Sequence, residues 1–491
     1  MKTNILNKIS TIYITILIIV FPLLVGPYGY ENILEIKYYS FIFLSLLYFL
    51  IITIFYAYDR IINDNKKLKI KLTILDYLVL IYYLINIISL VLSPYKEYNL
   101  IKGLGRGEGL LLTTIYILNY FYISKTYIFN KKILNNFAIS SLLISLIASL
   151  QFWGINIFDL YKGISGPHNM SFMSTIGNID FLSAYYTITI TITALLFLFK
   201  QNSKKETILY LISLIFSIFI FLLINVDSGK VAFLVIIMIL LPKLISNNNN
   251  LSKLLLILSI IVFGYFLNYF VDMRFIASTN TYKACWHLNT ISLGLFITII
   301  LLLIASFFIN KKTYNIKKVN KLYYSYIPLF IIGLIIVYYY DFGISFLKDI
   351  QSILHGNIND NLGNYRIFLW KRSLILFKDY PILGTGPDTF AMRFMTNFKE
   401  DISLIGEMSI NDTAANVYLT TLVNLGLLGL LSYLSILIDP FLNHKNNKNY
   451  LILLLTLLCF IIQNFFNLSI VIVTPYLWLL LALLNIEKKQ I

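Results

Sequence analysis

ISLGLFITIILLLIASFFIN, Ile291–Asn310, followed at once by KKTYNIKKVNK, Lys311–Lys321, sets the reading of this chain. An uncharged apolar run of about 20 residues is what a helix needs to cross a hydrocarbon layer ~30 Å thick. The lysines behind it are what a connection retained on the inner face of a membrane carries. The pattern recurs, with apolar runs centred near residues 18, 48, 83, 116, 143, 189, 216, 237, 262, 298, 332, 427, 459 and 478. It predicts an all-α integral membrane protein of about fourteen transmembrane helices.

Composition leads to the same class. Of 491 residues, 58% are hydrophobic and only 13% charged, and the mean hydropathy is +0.79. A water-soluble fold of this size could not keep that much apolar surface inside. The net charge of +16 would on a soluble chain point to nucleic acid. Here the basic residues cluster between apolar runs, as at Lys66, Lys67, Lys69 and Lys71, so the charge is read as topology, with both termini cytoplasmic and no nucleic-acid partner. The run from about Ile9 to Val25 follows Lys2 and Lys8 with no small-residue cleavage site after it, and is expected to be a retained span. Cys285 and Cys459 lie far apart, outside any C-x-x-C pattern, so neither a disulfide nor a metal site is expected.

One connection, 341–416, is much longer than the rest and denser in charge. Its helical periodicity, Trp370 and the Gly386-Pro387 turn predict a folded extracytoplasmic helical loop inserted into a single transmembrane domain, 1–491.

Charged groups at the bilayer centre cost about 2.5 to 3.5 kcal/mol each, so polar residues at span ends carry the information. GLGRGEGLLLT, Gly103–Thr113, sets Arg106 and Glu108 among glycines whose bare backbone lets a ligand approach, or is an interfacial turn with a snorkelling arginine. SGPHNMSFMSTIGNIDFLSAYY, Ser165–Tyr186, places His168, Asn178 and Asp180 at an outer boundary, where capping of the following helix competes with a functional role. In NVDSGKVAF, Asn225–Phe233, Asp227 and Lys230 either pair with each other or Lys230 offers a point charge to phosphate. In GNYRIFLWKRSLILFKDYPILGTGPDTF, Gly363–Phe390, Arg366 shares a helix face with Leu369, Trp370, Ser373 and Phe377, while Lys371 and Lys378 fall on the other flank. An arginine within an apolar stripe needs an anion, either a protein carboxylate or a diphosphate, to which a guanidinium offers two parallel donors. NDTAANVYLTTLVNLGLLGLLSYL, Asn411–Leu434, returns the chain to the membrane with Asp412 and Asn416 as polar members; Gly426 and Gly429 there are read as helix-packing positions.

Taken in order, GRGEGLL, TIGNIDFLSAYY, DSGKVAF, YRIFLWKRSLILFKDYPILGTGPDTF, AANVYLTTLVNLGLLGLLSYL and the tail QNFFNLSIVIVTPYLWLLLALL resemble the O-antigen ligase and polymerase superfamily of bacterial membrane glycosyltransferases. The resemblance implies a C-type-glycosyltransferase-like architecture with a large outer loop over a cavity. It implies a glycan on undecaprenyl diphosphate as donor, and an acceptor that is a glycan, lipid or protein, on the outer side of the plasma membrane in cell-wall polysaccharide biosynthesis. It places Lys230 and Arg366 on the diphosphate. Where family ligases carry His-Asn at the return to the membrane, this chain has Ala415 before Asn416. The resemblance makes that His a candidate base or acceptor-positioning group, so that here another side chain, Glu108, Asp412 or Glu407, serves as base, the donor needs only positioning, or the protein is a divergent member with altered activity.

The expected reaction is a metal-independent, inverting transfer with no cofactor. Arg366, Lys230, Arg106 and Arg372 are the candidate diphosphate contacts. Glu108, Asp412 and Asn416 are the candidate catalytic groups, Glu108 either orienting Arg106 or acting as base. The alternatives are a polymerase of the same superfamily, a flippase or transporter for lipid-linked glycan, and a glycan-binding scaffold.

Overall fold

The computed structural model describes residues 2–62, 71–103, 105–162, 172–199, 202–276, 281–286, 290–311, 322–341, 345–400, 412–442 and 447–489. Among them, 10 helices are long and apolar enough to cross a membrane. Four more, Leu110–Thr126, Leu322–Tyr339, Lys448–Asn464 and Thr474–Lys489, occupy the remaining expected centres. The protein is a multi-pass membrane protein. An antiparallel hairpin, pairing Val271 with Trp286 and Ile276 with Thr281, adds strand structure that helical periodicity did not announce.

Burial sorts the helices. Ile179–Phe199 is the hub, its 18-residue apolar window 94% buried, whereas Thr290–Asn310 is only 11% buried and turns its apolar side chains outward, as a lipid-facing helix does. Tyr185, Tyr186, Tyr476 and Trp478 fill the centre between the hub and Thr474–Lys489. Polar groups close the ends. At one end Asp76, fully buried, accepts from the Thr73 amide (2.7 Å), Tyr120 (2.9 Å), Asn485 (2.9 Å) and Lys125, tying the last helix to the bundle. At the other, buried Lys37 donates to the carbonyls of Phe21 (3.2 Å), Pro22 (2.7 Å) and Leu24 (3.0 Å), where the first span ends and its last carbonyls run short of helical donors.

The 345–400 lobe sits at that second end. Its helices Arg366–Asp379 and Phe390–Asn397 bury Phe368, Leu369, Leu376, Phe390 and Phe394 against Ala414 and Val423 of the returning chain. Fully sequestered Arg393 joins the two helices by donating to the Leu376 carbonyl (2.6 Å) and the Asp379 carboxylate (2.9 Å). The lobe also enters the bundle. Val417–Leu442 breaks at Gly426, with φ 66° and ψ −168°, a conformation open only to glycine. The turn Pro381–Gly386 lies in the break: the amides of Thr385 and Gly386 donate to the Asn424 carbonyl (2.9 and 2.8 Å), and those of Leu427 and Leu428 donate to Pro381 and Ile382 (2.8 and 3.2 Å). Gly426 was expected to serve helix packing; it breaks the helix instead, so that a loop can complete the hydrogen bonds the helix gives up.

Candidate active site

The glycines of GLGRGEG are bare because a carboxylate lies against them. Asp388, held at φ 58°, turns its side chain into the loop, where it accepts from the backbone amides of Gly105 (3.1 Å), Arg106 (3.4 Å) and Gly107 (3.1 Å). A Cβ on Gly103 or Gly105 would overlap that carboxylate. The close approach expected of a ligand is thus made by the protein itself. Burial pushes the Asp388 carboxyl up to about 7, against the pull of the three amides.

Arg106 is paired with Asp412 and lies over the Phe181 ring, 5.8 Å from its centroid. Burial raises the Asp412 carboxyl, and Arg106 opposes the rise. Asp412, not Glu108, is therefore the group that orients Arg106. Glu108 accepts hydroxyls from Tyr116 and Ser469, both at 3.0 Å. Burial pushes its carboxyl up to about 8, with the Asp388 charge adding to the rise. Arg106, Glu108, Tyr116, Asp388 and Ser469 line a cavity of about 80 Å³ with Tyr82, Asn424 and Trp478.

A second, larger cavity of about 360 Å³ opens beside it. Arg366, in the first turn of its helix, reaches it with a guanidinium donating to the carbonyls of Gly363 (2.9 Å) and Phe466 (3.1 Å). Its Nε is buried without a hydrogen-bond partner, and no carboxylate lies within 4.0 Å of it among the described residues. Trp370, one turn on, donates its indole N–H to the Ala414 carbonyl (3.1 Å) and packs on Phe465 and Phe466, so the arginine is held in register with the return to the membrane. The expected face is observed: Leu369 and Ser373 are buried and Lys371 and Lys378 exposed. Asp180, Asn225, Asp227 and Asp349 line the same cavity. Residues 466–469 join the two cavities, since Phe466 accepts from Arg366, Asn467 donates to the Asp180 carbonyl (3.2 Å) and Ser469 donates to Glu108.

The four basic candidates do not share one cavity. Lys230 donates to Asp227 (3.0 Å) and to Asn225, so of its two readings the local pair is the one seen, and its stem lines an apolar cavity of about 300 Å³ between Ile179–Phe199, Lys204–Ile224, Asp227–Ile245 and Asn248–Phe270. Arg372 is bonded to Asp360 (3.0 Å) and stacks on Phe368 at 3.5 Å. Asn416 caps Val417–Leu442, its Oδ1 accepting from the amides of Tyr418 (2.9 Å) and Leu419 (3.0 Å). Asn178 likewise accepts from the Asp180 amide (2.7 Å). His168 and Glu407 lie outside the described residues. Sequence reasoning did not single out Asp388, Tyr116 or Ser469; the only signal for Asp388 was the spacing of glycines in a distant loop.

Because burial raises the Asp388 carboxyl to about 7, the stability it contributes is complete below the ordinary carboxylate range and is lost as pH rises through about 7. Thermal stability in detergent is expected to fall between about pH 4 and 7, by up to about 1.4 kcal/mol per pH unit per titrating group, and Asp388→Asn is expected to reduce that slope, the remainder coming from Glu108, which burial raises likewise. An unchanged slope in the variant contradicts the assignment.

These features define a class: a polytopic membrane protein in which a helical lobe, plugged into a broken span, supplies walls to two polar cavities at one end of the bundle. Residues 284–434 match the O-antigen ligase family, which bears out the superfamily resemblance read from the sequence. The matched stretch holds Arg366, Arg372, Asp388, Asp412 and Asn416; Arg106, Glu108, Asp180 and Lys230 lie before it. No curated protein matches the chain.

Proposed function

We propose that the protein transfers a glycan from an undecaprenyl-diphosphate carrier to an acceptor on the outer side of a bacterial plasma membrane, the lobe being extracytoplasmic and both termini cytoplasmic. The family match supports glycan transfer at a membrane as the class of activity. The observation that carries the finer reading is Arg366. Its guanidinium is oriented by two backbone carbonyls and has no carboxylate oxygen within 4.0 Å among the described residues, at the wall of a cavity large enough for a sugar diphosphate.

A glycosyl diphosphate already has a good leaving group. What the protein must add is a fixed positive charge where negative charge develops as the bond from the anomeric carbon to the diphosphate breaks, and a hold on the acceptor hydroxyl at the opposite face of the sugar. Arg366 supplies the charge. Lys230, which resemblance to the family would put on the diphosphate, instead neutralises Asp227 at the wall of that cavity. Arg106 and Arg372, each bonded to an aspartate, shape the walls. Neither step calls for a metal.

The test is reconstitution of the full chain in lipid nanodiscs with an undecaprenyl-diphosphate glycan and candidate acceptors. Release of undecaprenyl diphosphate with inverted glycan on the acceptor is expected, unaffected by a chelator. Loss of activity with EDTA, restored by a divalent cation, contradicts the metal-free mechanism.

A further inference from the structure

We propose that Asp180 is the general base that takes the proton from the acceptor hydroxyl, a role open in this chain because Ala415 stands where family ligases carry a histidine as candidate base or acceptor-positioning group. The inference rests on the transfer reaction proposed above.

Three carboxylates line the cavity that Arg366 enters. Asp227 is bonded to Lys230 (3.0 Å), and Asp349 accepts from the Gly363 amide (3.1 Å). The Asp180 carboxylate accepts no hydrogen bond among the described residues, although its own amide and carbonyl are both engaged, by Asn178 and Asn467. Those two bonds fix its backbone. The backbone from which the carboxylate springs is therefore fixed, while no hydrogen bond among the described residues occupies its lone pairs. It stands in the first turn of Ile179–Phe199, the most buried of the candidate spans among the described residues.

Of the three sequence candidates for base, Glu407 lies outside the described residues, and Glu108 and Asp412 are less suited. Both Glu108 oxygens already accept hydroxyls, and Asp412 is paired with Arg106; both belong to the surroundings of the smaller cavity rather than to that of Arg366. Asp180 and Arg366 share one cavity without an ion pair between them, and an inverting displacement needs its base and its leaving-group cation on opposite sides of one sugar. In the step, the acceptor oxygen forms its bond to the anomeric carbon. The bond to the diphosphate breaks with its electron pair going to the phosphate oxygen beside Arg366, and the hydroxyl proton passes to Asp180, which releases it to solvent through the cavity.

The charged groups facing Asp180 there are Arg366, Asp227 with its Lys230, and Asp349. The experiment measures kcat, donor KM and the pH profile of the full chain in nanodiscs, with binding of the undecaprenyl-diphosphate glycan measured separately, for wild type, Asp180→Asn and Asp180→Glu. Asp180→Asn is expected to lower kcat about 10²- to 10⁴-fold, to leave donor binding near wild type, and to lose the acid limb of the pH profile. Asp180→Glu is expected to recover part of kcat together with that limb. A monodisperse, normally melting Asp180→Asn that transfers at the wild-type rate overturns the assignment and leaves the transfer reaction standing. Wild type that neither binds nor consumes the donor overturns both. A fall in donor binding equal to the fall in kcat also overturns it, making Asp180 a binding residue.

Discussion

Arg366→Ala is expected to lower kcat/KM for a lipid-diphosphate glycan by about 10² to 10³-fold, or ~3–4 kcal/mol of transition-state stabilisation. Two features set the size of this effect. The guanidinium is fixed before any ligand arrives by the Gly363 and Phe466 carbonyls, so little reorganisation opposes its action. It also sits at a partly buried site, where a charge–charge interaction is screened less than at a free surface. Arg366→Lys is expected to recover only a part, because an ammonium lacks the planar fork that satisfies two carbonyls and still faces the cavity. Turnover of the reconstituted protein checks both variants, with melting temperature as the control for folding. Wild-type turnover in Arg366→Ala would remove the diphosphate reading.

Gly426→Ala is expected to prevent the lobe from seating and to leave no monodisperse protein after detergent extraction. Its backbone lies at φ 66°, and an added Cβ would collide with the backbone of Ile382 and Leu383. Gly384 is pressed in the same way on the backbone of Asn424 and Leu425 from the opposite side. The strain alone costs about 1–3 kcal/mol. Separating the segments also forfeits the hydrogen bonds of Thr385, Gly386, Leu427 and Leu428 across the break, each worth about 1 kcal/mol net. Together these approach the whole stability of an ordinary domain, about 5–15 kcal/mol. Gly294→Ala, at a lipid-facing position with no heavy atom near the added Cβ, is expected to behave as wild type. A well-behaved Gly426→Ala would show that the break in the helix is not what anchors the lobe.

Losing this anchor would also disturb both cavities. The turn that fills the break runs directly into Pro387 and Asp388, and Ser89 and Ser93 clasp it from Ile74–Val91 and the segment after it, donating to the carbonyls of Leu383 and Thr385. The lobe positions Asp388 in the glycine loop and Arg366 over the other cavity through one packed unit. Substitutions at the plug are therefore expected to reduce activity even where the individual polar groups are intact.

Much of the candidate site was legible because its signals are local. The face of the Arg366 helix follows from a 3.6-residue period, and the break after it from Gly384, Gly386 and Pro387. The reason for the glycines around Arg106 was not legible, since the group that presses on them, Asp388, lies far along the chain and at φ 58°. Nor could sequence tell that Lys230 would be bonded to Asp227 and Asn225 while the hydrogen bonds of Arg366 would go to two carbonyls, because pairing depends on side-chain reach across segments.

By itself the sequence determined the membrane class, the fourteen helical positions and the presence of a lobe, for the length and apolarity of each run are properties of contiguous residues that a bilayer reads one segment at a time. Only the tertiary structure decided which polar groups neutralise each other and which stay available. That choice is made where distant segments meet at the end of the bundle, and it leaves Arg366 and Asp180 facing one cavity while Arg106, Arg372 and Lys230 are bound to aspartates of the chain itself.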